Sequence, residues 1–447
     1  MASLAESLAK NFSFSSFKKA EDLKKRIWFT LMVLVVYRFG TYIPLPGINP
    51  GVISDFAKSH ANSLFGILDM FSGGAMGRMT VFSLNIMPYI SASIIIQLLT
   101  AMSPQLTALK KDGESGRRKI NQYTRYSAVL LALIQGYGIS VGLERIISHS
   151  GPAVIDPGMV FRFTTMTSLT GGTLFIMWLG EQISARGIGN GSSIIIYSGI
   201  VANLPAALFN TFAMGKQGAI SVMALVVLLS LVVTVIAFIV FMEKAVRKIP
   251  IQYPKRQTMA NMPASQQNTH LPLKLNNAGV IPPIFASSIL LLPATISGFV
   301  SVNPDSIFGK IANSFSHGKP LYMIFFLISI VFFAYFYTAI MFDPKDTADN
   351  LKKSGSYIPG IRPGDSTADY IDTILLKLTS IGALYLCAIC ILPEVILSQV
   401  ALPFYFGGTS LLIVVNTSID TMNQFQSHLL AQQYEGLFKR GKAKGLI

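Results

Sequence analysis

The stretch AISVMALVVLLSLVVTVIAFIVFM, residues 219–242, runs for 24 residues without a charged side chain. A helix rises 1.5 Å per residue, so this run reaches about 36 Å, beyond the hydrocarbon core of a bilayer at about 30 Å. No soluble fold needs so long an uninterrupted apolar helix. A second run, PLYMIFFLISIVFFAYFYTAIMF at 320–342, is almost as clean. Outward from these two, the same reading predicts eight more spans, at 27–43, 84–102, 123–143, 162–180, 192–212, 278–299, 371–392 and 402–422. The expected fold class is all-α: a polytopic membrane protein of ten transmembrane helices in two five-helix halves, 27–212 and 219–422. Composition agrees. Charged residues make up 13% of the 447, about half the share of a soluble domain, and mean hydropathy is +0.52.

The formal charge of +15 has two readings, nucleic-acid binding or cationic loops beside a membrane. Their placement decides. With residues 1–26 on the cytoplasmic side, the alternating connections on that side hold 26 of the 36 Lys and Arg, and the opposite side holds 7. A nucleic-acid binder has no reason to alternate its charge in this way. Both termini, 1–26 and 423–447, are therefore expected in the cytoplasm. No small-residue cleavage site follows the first apolar run, so that span is expected to stay as an anchor.

Three connections are long. Residues 243–277 and 343–370 fall on the cytoplasmic side and 44–83 on the other. Within 44–83, the run LFGILDMFSGGAMG (64–77) is too short to cross and is stopped by Gly73 and Gly74. It reads as a half-helix tucked into the protein. Backbone that turns at membrane depth persists only against protein or a water-filled cavity.

What is missing narrows the function. Ion-coupled carriers place carboxylates or His at mid-membrane. Here Glu181, Glu243, Asp372 and Asp420 sit at span ends, and His60, His149, His270, His317 and His428 lie outside span cores. Arg38 and Lys377 are close enough to span ends to snorkel. Cys387 and Cys390 form C-x-x-C inside ALYLCAICILP, where they read as small apolar packing residues. RGIGNG at 186–191 reads as a turn between two spans. No catalytic motif occurs, and no cofactor or metal is expected. An enzyme is disfavoured, and a multispan small-solute transporter is the alternative to a conduit.

Seven stretches together resemble the SecY family: YIPLPGI (42–48), IMPYISASIIIQLLT (86–100), GESGRRKINQYTRY (113–126), MWLGEQISARGIGNG (177–191), HLPLKLNNAGVIPPIFASS (270–288), DPKDTADNLKKSGSYIPGIRPG (343–364) and PFYFGGTSLLIVVN (403–416). They occur in family order, and the similarity runs from about residue 20 to 440. The resemblance implies a non-enzymatic protein-conducting channel of the inner membrane. It would pass unfolded secretory chains and open sideways to release apolar segments into lipid. It also implies partners: SecE-like and SecG-like membrane subunits, and either the SecA ATPase or the ribosome as the source of energy.

Site residues follow from the same resemblance. Six side chains would close the pore, Ile86, Ile90, Ser192, Ile196, Ile284 and Ile413; apolar rims resist leakage by dewetting. Ser192 departs from the usual Ile. A plug at 64–75 would carry Leu64, Phe65, Ile67, Leu68, Met70 and Phe71. A lateral gate between the second and seventh spans would use Ser91, Ser93, Gln97, Asn276, Asn277 and Ser287, polar groups expected to pair across a helix interface. Lys255, Arg256 and Arg362 would meet SecA or the ribosome, a guanidinium suiting phosphates and carboxylates. Pro363 and Gly364 are expected to hold Arg362 on a turn.

Overall fold

A computed structural model of the chain describes residues 21–59, 64–148, 151–217, 221–252, 269–299, 320–399 and 407–443. Its elements, in chain order, are α1 (Glu21–Gly40), α2 (Pro50–Ser59), α3 (Leu64–Ser72), α4 (Met87–Met102), α5 (Pro104–Lys111), α6 (Glu114–Glu144), β1 (Ile147–Ser148), β2 (Gly151–Pro152), α7 (Met159–Arg186), α8 (Gly191–Lys216), α9 (Val222–Lys244), β3 (Val246–Ile251), β4 (Thr269–Lys274), α10 (Ile281–Phe299), α11 (Pro320–Met341), α12 (Pro344–Lys353), α13 (Asp365–Gln399) and α14 (Gly408–Ala443). Every span read from the sequence overlaps one of these helices: α1, α4, α6 to α11, α13 and α14. Among the described residues, five helices are long and apolar enough to cross a membrane, or six if the bent pair α4 and α5 is one of them. That pair turns through 100° at Ser103–Pro104. Proline disfavours helical backbone in the residue before it, and Ser103 is extended.

The described residues group into two compact units. One comprises Met1–Ala92, Thr124–Ala207 and Ile413–Ile447; the other comprises Ser93–Tyr123 and Leu208–Leu412.

In the first unit, the long connection between α1 and α4 is a packed element. Leu45, Ile48, Val52, Ile53, Met79 and Leu84 bury themselves with Leu143, Val154, Phe161 and Leu169. A backbone bridge joins Ile48 to Val154, and Asn49 N donates to Ala153 O at 2.9 Å. The β1–β2 hairpin is thereby drawn onto the start of α2. The RGIGNG turn lies where expected, between α7 and α8. Its glycines are needed for close approach: a β-carbon on Gly191 would stand 1.8 Å from Gly180 O. Thr30 Oγ1 accepts from Ile188 N at 3.1 Å, and Gln424 Oε1 accepts from Gly189 N at 2.7 Å, so α1 and α14 hold the turn from two sides.

The second unit stacks α10 on α11 and α11 on α13. Phe285 meets Phe333 and Tyr337 edge-on at 5.7 and 6.3 Å between ring centroids. Cys390 is buried, and Cys387 Sγ faces Leu327 O at 4.0 Å. The fold is predominantly helical, with strands confined to connections. The connection after α9 forms an antiparallel hairpin, β3 paired with β4 from Val246↔Lys274 to Ile251↔Thr269. Pro250 and Pro272 lie within these strands, as a two-stranded sheet permits because each strand keeps an outer edge. The connection at 343–370 is not a loop throughout either. Asp343 caps α12 by accepting from Lys345 N and Asp346 N, with Pro344 in the first turn and Lys352 and Lys353 at the end, each suited to its helix terminus.

Candidate functional site

Helix α3, expected to be a half-helix, is bonded closely at its C-terminal end. It has nine residues, too few to cross a bilayer. A helix leaves its last four carbonyls without intrahelical donors. At this end all the final carbonyls are accounted for. Gly73 takes a left-handed conformation at φ 68°. Its N–H donates to Met70 O at 3.2 Å, and Gly74 N donates to Asp69 O at 2.9 Å, closing a Schellman turn. The three carbonyls that follow go to side chains of the first unit. Asn85 Nδ2 donates to Phe71 O at 2.7 Å, Tyr37 OH to Ser72 O at 3.3 Å, and Arg38 Nη1 to Gly73 O at 2.7 Å. Arg78 Nη2 reaches the same Gly73 oxygen at 3.3 Å. Helix α8 forms the wall behind this end, since a β-carbon on Gly199 would lie 2.5 Å from Phe71 O.

Asp69 adds a closing bond: its Oδ1 accepts from Gly77 N at 2.5 Å. Burial pushes its carboxyl above the ordinary value, opposed by that N–H and by the Arg78 charge. Of the six residues expected in a plug, Phe71 is buried and Met70 is half-buried; Leu64, Phe65, Ile67 and Leu68 lie on the described helix.

Five of the six positions expected to close a pore belong to the first unit. Ile86, Ile196 and Ile413 are buried, and Ile90 and Ser192 are half-buried. Ile86 precedes α4, and its Cδ1 lies 3.6 Å from where a β-carbon of Gly180 would stand. Ile284, on α10, belongs to the second unit and is half-buried. Ser192 is not a bare polar group on α8: its hydroxyl donates to Asn190 Oδ1 at 2.8 Å, and its N–H meets the same oxygen at 3.2 Å. Asn190 thus bonds the first turn as a helix cap does.

Of the residues expected at a lateral gate, Gln97 and Ser287 bond within their own helices. Gln97 Nε2 donates to Ser93 Oγ at 3.1 Å, one turn away on the same helix, and Ser287 Oγ donates to Ile284 O at 2.9 Å. Ser91 is buried and Asn277 half-buried. Asn276 is buried at the approach to α10. Its Nδ2 donates to Glu243 Oε1 at 2.7 Å and to Gly279 O at 3.1 Å, and its Oδ1 accepts from Gly279 N at 3.1 Å. Two of the four end-of-span carboxylates have partners: Glu243 has Asn276, and Glu181 accepts two bonds from Arg125 at 2.7 and 2.8 Å.

Beside this lies a platform built from both long connections of the second unit. Ile249 and Leu273 of the hairpin bury themselves with Ile358, Ile371, Ile374, Leu375 and Leu378. Gln252 and Tyr357 exchange backbone hydrogen bonds at 2.9 and 3.0 Å, so the hairpin and the 354–364 turn are one piece. Arg362 is exposed on that turn, as its neighbours suggested. Thr367 Oγ1 donates to Arg362 O at 2.8 Å, and Gly360 and Gly364 take positive φ. Lys255 and Arg256 lie outside the described residues.

A model of the SecY family matches residues 80–422. The chain belongs to the SecY family. It is 48% identical over 437 residues to the protein translocase subunit SecY of Rickettsia felis, covering 98% of this chain and all of that one. It is 49% identical over 425 residues to the same subunit of Escherichia coli K12, covering 95% and 96%. Among solved structures, a protein conducting channel superposes with a TM-score of 0.64 at 16% identity, covering 91% of this chain and 92% of that chain. Sec61 in a canine ribosome–channel complex from the endoplasmic reticulum gives 0.62 at 15%, with the same coverage. The protein is thus a multi-pass membrane protein with the fold of this channel family, and its function is that of a protein-conducting channel.

Sequence reasoning missed several residues that organise these sites. Arg38, read as snorkelling, and Tyr37, Arg78 and Asn85 all converge on the end of α3. Nothing local marks Tyr37 or Asn85. The pattern Asp343–Pro344 before a helix-forming run did mark the α12 cap, and its signal was there to use.

Proposed function

We propose that this chain conducts unfolded secretory polypeptides across the inner membrane and releases apolar segments sideways into lipid. In this reading both termini face the cytoplasm, and the two halves 27–212 and 219–422 flank the conduit. Ile86, Ile90, Ser192, Ile196, Ile284 and Ile413 form its apolar waist, and residues 64–75 stop it at rest. Ser91, Ser93, Gln97, Asn276, Asn277 and Ser287 line the lateral exit. Arg362, with Lys255 and Arg256, meets SecA or a ribosome on the cytoplasmic side, and SecE-like and SecG-like subunits complete the assembly. The energy comes from the partner, and the chain itself performs no catalysis.

The observation that carries this reading is the seat of α3. A nine-residue apolar helix that cannot span is closed by a glycine turn and bonded through its last carbonyls to α1 and to the connection that follows α3. A helix that only lay at the membrane surface would leave those carbonyls to water. The absence of carboxylates at span centres supports a conduit over an ion-coupled solute carrier. Deletion of residues 65–72 tests it: resting ion leakage across vesicles carrying the complex should rise. Leakage equal to the parent's would remove the stopper role.

A further inference from the structure

Two segments, α1 and the connection after α3, supply side chains to the carbonyls of Phe71, Ser72 and Gly73, and their bonds are not alike. Those from Asn85 and Tyr37 are buried, whereas those from Arg38 and Arg78 are partly open to solvent. The two guanidiniums share one acceptor, as a carbonyl oxygen with two lone pairs allows. They also share a platform. The central carbons of Arg38 and Arg78 lie 5.2 and 4.1 Å from the centroid of the Tyr42 ring, and Arg38 Nη2 donates to Tyr42 OH at 3.3 Å. An aromatic face attracts cations and holds both in place without using up the donors aimed at Gly73. Their charge also sits at a helix C-terminus, where the backbone dipole favours it. Gly73 itself is pressed toward α8, with a β-carbon there meeting Gly199 Cα at 3.0 Å.

We propose that Arg38 and Arg78, braced on Tyr42, are positioning residues that latch the Gly73 carbonyl and set how readily the end of α3 leaves its seat. The role deepens the stopper reading and rests on it. Charge-assisted bonds are stronger than neutral ones, yet water can reach this pair and replace it. The buried Asn85 and Tyr37 bonds have no such exchange partner. Release therefore starts at Gly73.

The test follows the helix end directly. Met70→Cys is introduced with Cys387→Ala and Cys390→Ala, and the full complex is reconstituted in nanodiscs. Labelling of residue 70 by a water-soluble maleimide reports exposure, and ion leakage is measured in parallel vesicles. R38Q combined with R78Q should speed labelling about tenfold, the effect of about 1.4 kcal/mol in an opening equilibrium. R38K, which keeps the charge and loses the planar fork, should fall between the parent and the double variant. Parent-like labelling in a double variant that assembles and melts normally overturns the latch. If the double variant does not assemble, R38K is scored by the same rule. Faster labelling without added leakage upholds the latch and removes the stopper reading instead.

Discussion

The end of α3 and the hairpin platform solve the same problem, holding irregular chain in place, by opposite means. The first uses single polar bonds from Asn85, Tyr37, Arg38 and Arg78 to backbone carbonyls. The second uses a continuous apolar core of Ile249, Leu273, Ile358 and the α13 residues below them, with a backbone bridge between its two loops. Separate polar bonds can be lost one at a time, at about 0.5–1.5 kcal/mol net each, beginning with the pair that water reaches. An interlocked core yields only as a whole. The first construction suits the stopper proposed here, and the second suits the proposed docking face, which would receive a partner without deforming.

The largest expected effect on export lies on the platform's exposed tip. Arg362→Glu reverses a charge on a turn whose fold depends on Thr367 and two glycines, so insertion and folding should be normal. Precursor export in membrane vesicles should fall at least about tenfold, since loss of a charged hydrogen-bonded contact costs roughly 1.5–3 kcal/mol. Export at the parental rate would dissociate the platform from docking.

Leu273→Ala comes next. Leu273 is 3% exposed, and truncating a buried Leu costs about 2–5 kcal/mol. Backbone amides of β3 and of the Gln252–Tyr357 bridge should lose exchange protection together. Loss confined to β3 would show that the platform is two pieces and break the contrast drawn above.

The smallest effect belongs to Tyr37→Phe, which keeps the buried ring and its stacking on Phe82 and deletes one 3.3 Å bond to Ser72 O. The expected loss is about 1 kcal/mol, read as a slight rise in labelling at residue 70, well short of the Arg38 and Arg78 pair. An effect as large as that of the two arginines would place the controlling bond in the buried layer.

Much of this was legible beforehand for one reason. Whether a run such as 219–242 partitions into lipid depends on its own side chains added together, so the spans, their helices and the Gly73–Gly74 stop could be read locally. The turn at Arg362 was legible because proline and glycine state their backbone preferences in place. The hairpin was harder to see, because Pro250 and Pro272 argue against strands unless the sheet is known to have only two.

From the residues alone, then, came the helical membrane class, the ten segments that proved to overlap helices, the short run that cannot cross, and the family. Tertiary structure alone decided that Asn276 faces Glu243, that gate hydroxyls such as Ser287 bond within their own helix, and that Tyr37, Arg38, Arg78 and Asn85 meet at one helix end. Burial of an apolar run is a sum over neighbours in sequence. A hydrogen bond is a meeting of two particular groups, and the partner of Phe71 O stands fourteen residues away only because the chain folds back at Gly73.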